Sequence, residues 1–261
     1  MTQVTQAPEK TRAQIATKTL RVDPWWRQPA INATFLAIVV IYLTWASLVN
    51  TDYFWAPYIS PLYSPCLATT CAAGSGFHWI PWLSALTPAI IIIGGPMGFR
   101  LTCYYYRKAY YRSFWLTPPA CAVPDLKRGY SGETKFPLIL QAFHRYTWYV
   151  AVLFIVMLTW DAILAFRFPN GFGIGVGTLV MWINVIFLAG YTFSCHSCRH
   201  VCGGHVNVFS KAPTRYRVWH FVTSLNERHP MFAWLSLFSV GLTDLYIRLV
   251  SMGILRDWRI I

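Results

Sequence analysis

The sequence predicts an all-α fold: a bundle of five transmembrane helices with its N-terminus in the cytoplasm. Three observations carry that expectation. The 261 residues are 56% hydrophobic and 12% charged, with a mean hydropathy of +0.41, well to the membrane side of soluble averages. Five segments are apolar over the roughly 20 residues that a helix needs to cross a bilayer core. The basic residues also alternate between successive loops.

The five spans fall at 32–50, 84–104, 145–166, 173–194 and 231–252. Residues 1–30, polar and basic with Pro24 and Pro29, read as a cytoplasmic tail, and 31–261 as the membrane domain. The first span lies too deep in the chain, behind flanks too long and polar, for a cleaved signal peptide. Lys and Arg number 5 before the first span, none between the first and second, 8 from Arg100 to Arg145, one at Arg167, 5 from Arg199 to Arg228 and 3 from Arg248 onward. This is the positive-inside pattern. It puts the N-terminus and the 105–144 and 199–230 loops in the cytoplasm, and the 51–83 loop and C-terminus outside. The net charge of +13 is therefore topological, suited to anionic headgroups or an acidic partner and not to nucleic acid.

Each element has its own signature. The outer 51–83 loop carries Trp55, Tyr58, Tyr63, Trp79 and Trp82, as an interfacial cap does. Cys66 and Cys71 lie in it, where an oxidising compartment would permit a disulfide. Gly94-Gly95-Pro96-Met97-Gly98 interrupts the second span, a kink or a surface for a closely packed helix, packing being the plainer reading. From Arg100 to Arg112, five tyrosines and four basic residues crowd the exit of that span. Cys103 lies among them, and Cys121 follows between prolines. The third span opens with His144-Arg145-Tyr146. Asp161, Asp244 and Arg248 fall inside apolar sequence near the outer ends of their spans. Asp244 and Arg248, four apart on a helix, share a face and read as a structural pair.

The chemistry is concentrated at Cys195-His196-Ser197-Cys198-Arg199-His200-Val201-Cys202-Gly203-Gly204-His205, where the fourth span meets basic sequence. Thiolates and imidazoles at this density suit zinc, haem iron or an iron–sulfur cluster. On one helix, His196 and His200 share a face, while Cys195, Cys198, Cys202 and His205 form another stripe, and Gly203-Gly204 ends the helix. Structural zinc would use Cys198, Cys202 and His205. Haem b would take His144 with His196 or His200 across the bundle. A Rieske-type [2Fe–2S] centre would take two Cys on one iron and two His on the other: His196 and His200 with Cys103 and Cys121, or Cys195 or Cys198 in their place. The soluble Rieske spacing is not reproduced. A lipid desaturase or hydroxylase would need more than the seven histidines present, and a zinc-binding transporter or sensor would need no partner subunits.

Several blocks resemble one family. Thr102-Cys103-Tyr104-Tyr105-Tyr106-Arg107-Lys108-Ala109-Tyr110-Tyr111-Arg112-Ser113-Phe114-Trp115, Pro118-Pro119-Ala120-Cys121-Ala122-Val123, His144-Arg145-Tyr146 and Cys195-His196-Ser197-Cys198-Arg199-His200 are similar to the single-chain membrane anchor of succinate dehydrogenase (succinate:quinone oxidoreductase, respiratory complex II). The likeness is to the five-helix class with a Rieske-like centre. It extends to Leu62-Tyr63-Ser64-Pro65-Cys66-Leu67-Ala68 and Leu225-Asn226-Glu227-Arg228-His229, while Cys202 and His205 fall outside it.

The resemblance implies a bacterial plasma-membrane protein docked on its cytoplasmic face by a flavoprotein with covalent FAD and by an iron–sulfur protein. Electrons from succinate would pass through it to quinone. For the quinone pocket, Tyr106, Arg107, His144 and Trp148 are the candidates. Alone the chain would oxidise no succinate, since it lacks a Gly-rich dinucleotide loop and a flavin domain.

Overall fold

The computed structural model describes residues 21–65, 88–123, 134–136, 138–204 and 206–261. In chain order its helices are α1 (Arg27–Val49), α2 (Pro88–Thr102), α3 (Tyr104–Tyr110), α4 (His144–Leu164), α5 (Val176–Phe193), α6 (His196–Gly203), α7 (Pro213–Glu227) and α8 (His229–Ser251). Lipid offers backbone groups no hydrogen bonds, so apolar segments of this length close their own ladders as helices. Each long helix packs on two neighbours, in the order α1, α8, α5, α4, α2 and back to α1.

Four helices among the described residues, α1, α4 with the turn before it, α5 and α8, are long and apolar enough to cross a membrane. Residues 84–87 of the second predicted span lie outside the described residues. The rest forms α2, whose 15 residues reach about 22 Å at 1.5 Å per residue. α1 starts at Arg27, inside the predicted tail. Pro29 is no obstacle in that first turn, where backbone N–H groups have no intrahelical acceptor. Phe35, Ile38, Val40 and Ile41 on α1, with Leu153, Val156 and Trp160 on α4, are exposed, as side chains facing acyl chains should be.

The Gly94–Gly98 stretch serves packing. A Cβ on Gly95 would stand 2.9 Å from both Val150 and Phe154, so only glycine lets α2 approach α4 this closely. Pro96 is accommodated within the helix.

One end of the bundle gathers the exits of α2 and α5 and the starts of α1, α4 and α8. The basic loops there are folded. α3 runs on into a π-helical turn, Tyr111–Trp115. α6 and α7 pack on each other and on the membrane helices above them.

At the opposite end two short antiparallel hairpins bridge the helices. β1 (Phe54–Trp55) pairs with β2 (Tyr58–Ile59), and β3 (Arg167–Phe168) with β4 (Gly171–Phe172). The last residues lie along the start of α5, with Ile174 and Ile261 joined through their backbones at 3.0 Å. Cys66 and Cys71 are outside the described residues.

Asp244 and Arg248 are buried at this end, with Arg248 Nε 2.8 Å from the Asp244 carboxylate. Arg248 also donates to the carbonyls of Thr51 (2.6 Å) and Ala46 (2.7 Å), and Asp244 accepts from Tyr42 (2.7 Å) and Ser60. A fully partnered pair of this kind is structural glue between α1, α8 and the first hairpin. Asp161, in turn, accepts from Ser64. Removing one partner of a buried pair strands the other charge, at about 3–5 kcal/mol. Arg248→Ala is therefore expected to lower the melting temperature of the detergent-solubilised protein sharply, while Arg256→Ala, on the C-terminal tail, leaves it nearly unchanged.

Candidate metal centre

Two cysteines and two histidines meet at the basic end, and all four sit where a helix starts or stops. Cys103 is the N-cap of α3, extended at φ −66°, ψ 127°, and so breaks the path from α2 into α3. Cys195 does the same between α5 and α6, at φ −69°, ψ 150°. His144 and His229 are the first residues of α4 and α8. The antiparallel course of the bundle brings these four junctions to one depth.

The side chains form two thiol–imidazole pairs. His144 Nε2 lies 3.0 Å from Cys195 Sγ, and His229 Nε2 lies 3.5 Å from Cys103 Sγ. The pairs are joined through rings: Phe99, which lies against His144, is 5.2 Å from Tyr191, which lies against His229. Cys103, Cys195 and His229 are buried, and His144 is partly so.

A hydroxyl group holds each imidazole at Nδ1. His144 Nδ1 is 2.9 Å from the Thr102 hydroxyl, whose own proton goes to the Gly98 carbonyl at 2.7 Å. His229 Nδ1 is 2.8 Å from the Ser194 hydroxyl, which donates to the Tyr191 carbonyl at 3.1 Å. With those protons so placed, each hydroxyl accepts from Nδ1–H and each Nε2 turns its lone pair to a sulfur; the Thr102 oxygen also lies 3.1 Å from the Thr147 hydroxyl. Outer hydrogen bonds of this type orient metal-binding histidines. Phe99 stacks flat on His144 (4.9 Å between centroids, 4°) and Tyr191 on His229 (5.1 Å, 19°). The α5–α6 break is itself held by Asn226, whose side chain donates to the Ser194 carbonyl at 2.7 Å.

Among the described residues, no three His, Cys, Asp or Glu side chains gather as ligands of one metal ion. A [2Fe–2S] cluster asks for less at each iron, two protein donors apiece, and two buried thiols with two Nε2 lone pairs match that donor set in type and number. Burial pushes the Cys195 thiol up to about 11, outweighing the backbone N–H groups at the start of α6 that act the other way.

The predicted ligands divide. Cys103 and Cys195 belong to the cluster. Cys121 is exposed, its carbonyl accepting from Arg21 at 3.1 Å, whereas Cys103 is buried. His196 and His200 are exposed on α6. Cys198 is buried, its thiol raised to about 12 by burial and by Cys202 one turn away. The physical reason is the break at Ser194–Cys195: a continuous helix would align Cys195 with Cys198 and Cys202, but the extended residue turns it toward α4. His205 of the predicted zinc stripe lies outside the described residues. The sulfurs lie directly before both Nε2 atoms, the place axial haem ligation would give to iron.

Of the predicted quinone contacts, Tyr106 is buried, donates to the Ala233 carbonyl and accepts from Arg100. Trp148 donates to the Thr192 carbonyl at 2.9 Å. Arg107 is buried over the Tyr104 ring at 5.0 Å, and His144 is held as described. None of the four lines the apolar cleft beside the cluster, whose walls include Phe99, Arg100, Ala151, Ile155, Leu188 and Tyr191. Sequence reasoning missed His229, Thr102, Ser194, Tyr191 and Arg100. His229 had a usable signal: like His144, it opens an apolar span at the basic end.

Fold and site together define a multi-pass helical membrane protein with a buried thiol–imidazole cluster at one end of its bundle. The family model of the actinobacterial succinate dehydrogenase subunit SdhC matches residues 27–253, and the chain belongs to that family. It is thus a membrane subunit of an oxidoreductase complex in the bacterial plasma membrane. Its structure is similar to a chain of the "Mycobacterium smegmatis Sdh1 complex in the apo form", with TM-score 0.89, 49% sequence identity and coverage of 97% of this chain and 98% of that one. No curated protein matches the chain.

The burial pattern predicts an order of thiol reactivity. Among the described cysteines of the detergent-solubilised protein, a maleimide should modify Cys121 first and Cys202 more slowly, while Cys103, Cys195 and Cys198 stay protected until denaturant is added. Mass spectrometry of peptides at timed intervals checks this.

Proposed function

We propose that this chain is the membrane anchor and electron-transfer subunit of a succinate:quinone oxidoreductase, docked on its basic, cytoplasmic face by a flavoprotein with covalent FAD and by an iron–sulfur subunit. Electrons leave the iron–sulfur subunit, cross a Rieske-type [2Fe–2S] centre in this chain and reach membrane quinone. The observation that supports this most directly is the buried pair of thiols facing two imidazoles, at the end of the bundle that carries the basic loops.

When bound, the cluster supplies one-electron chemistry at a potential raised by histidine ligation. The chain's residues do the rest. Cys103 and Cys195 would hold one iron as thiolates, and His144 and His229 the other through Nε2. Thr102 and Ser194 keep Nδ1 protonated and the rings oriented. Phe99 and Tyr191 cover the outer ring faces against lipid and water. The basic residues of α3, α6 and α7 meet acidic partner surfaces.

Low-temperature electron paramagnetic resonance on the reduced, purified complex tests the reading. A [2Fe–2S] signal with the low average g of mixed ligation is expected. It should vanish in Cys103→Ala, Cys195→Ala, His144→Ala and His229→Ala, and survive in Cys121→Ala and His200→Ala. Low-spin ferric haem signals in the oxidised sample would replace this reading by a cytochrome b anchor. A signal lost in His200→Ala but kept in His229→Ala would move the ligands to α6.

A further inference from the structure

Among the described residues, α5 and α8 pack on each other more extensively than any other two helices. They run antiparallel, and their basic ends meet at the thiol–imidazole site. Ser194 closes α5 and His229 opens α8, with 2.8 Å between the hydroxyl and Nδ1. One other side-chain hydrogen bond joins these two helices among the described residues. The Ser239 hydroxyl donates to the Asn184 carboxamide oxygen at 2.8 Å, and also lies 3.2 Å from the Ser236 carbonyl on its own helix. Asn184 is 2% exposed and Ser239 8%.

This pair stands midway along both helices, at the ninth of 18 residues in α5 and the eleventh of 23 in α8. It is also equidistant from the site: Asn184 precedes Ser194 by ten residues, and Ser239 follows His229 by ten. In antiparallel helices of equal rise, levelling one pair therefore levels the other, about 15 Å further along. Apolar helix faces do not set such a level by themselves. Lipid is as apolar as their side chains, and a face of Leu, Ile and Val packs nearly as well after a slip of one turn, about 5.4 Å. A single polar pair in an apolar seam does set it, because every slipped register strands a buried amide.

We infer that Asn184 is a positioning residue: its hydrogen bond with Ser239 fixes the register of α5 against α8 and so brings His229 level with Ser194. For the iron centre the inference rests on His229 and Cys195 being ligands, as proposed above. For the level of the two helices it rests on the hydrogen bonds alone. No electron or proton passes through the pair. It acts from the middle of the bundle, by the point at which it stops one helix sliding along the other.

Asn184→Leu, which fills a similar volume, tests this in the purified complex beside the exchanged pair, Asn184→Ser with Ser239→Asn. The leucine variant is expected to melt within a few degrees of the native complex, since apolar packing replaces the lost bond. Its Cys103 and Cys195 peptides should nevertheless react with maleimide about tenfold faster without denaturant, as slipped registers open the site. Its reduced [2Fe–2S] signal should broaden in electron paramagnetic resonance. The exchanged pair should return both readings toward native. Native labelling and line shape in the leucine variant overturn the inference, as does a leucine defect that the exchanged pair leaves uncorrected. Failure of both variants to assemble overturns it too, by making the pair a packing element. Absence of any cluster signal from the native complex removes the ligand assignment instead, and the labelling comparison still decides the register.

Discussion

The arrangement depends on two hydroxyl groups that have already committed their protons. Thr102 donates to Gly98 and Ser194 to Tyr191, each to a carbonyl of its own chain segment three or four residues back. With those protons so placed, each oxygen accepts from an imidazole, and His144 and His229 carry their protons on Nδ1. Two neutral imidazoles are thereby aimed with their basic nitrogens inward. The orientation is set by the chain before any metal arrives, as outer-sphere control of metal ligands requires.

The bundle supplies what those bonds need. A helix in lipid has few places to change direction, because each freed backbone group must find another partner. This chain places its changes of direction at one depth, where Cys103 and Cys195 adopt extended backbone between a membrane helix and a helix of the basic face. The opposite end shows the contrasting use of buried charge. There Asp244 and Arg248 are saturated with partners and tie α1, α8 and a hairpin together. At the basic end, the Tyr191 hydroxyl is buried without a hydrogen-bond partner. One end of the protein is closed chemistry, and the other is poised for it.

Much of this was legible in the amino-acid sequence. Apolar length and the alternation of Lys and Arg marked the spans, because the bilayer penalises every alternative. The spacing of Asp244 and Arg248 predicted their pairing, since four residues on a helix share a face. Cys103 and Cys195 were recognisable by type and depth. The thiol–imidazole pairing was not: density drew attention to His196 and His200, whereas the imidazoles beside the buried thiols are His144 and His229, far apart in sequence. Helical periodicity assumes an unbroken helix through Ser194–Cys195, and the one extended residue there reassigns every side chain around it. α3, seven residues long, is too short for apolar periodicity to announce it.

A centre assembled from four helix junctions makes the chain's tolerance to change uneven. Side chains that face acyl tails can vary freely, since any apolar group of similar bulk serves. Chain length within the bundle cannot. One residue added between the membrane midplane and Cys195 would advance that sulfur by about 1.5 Å and swing it through about 100°, away from His144 and toward lipid. The protein is in this sense a measuring device, whose helices are cut to fixed lengths so that their ends arrive together.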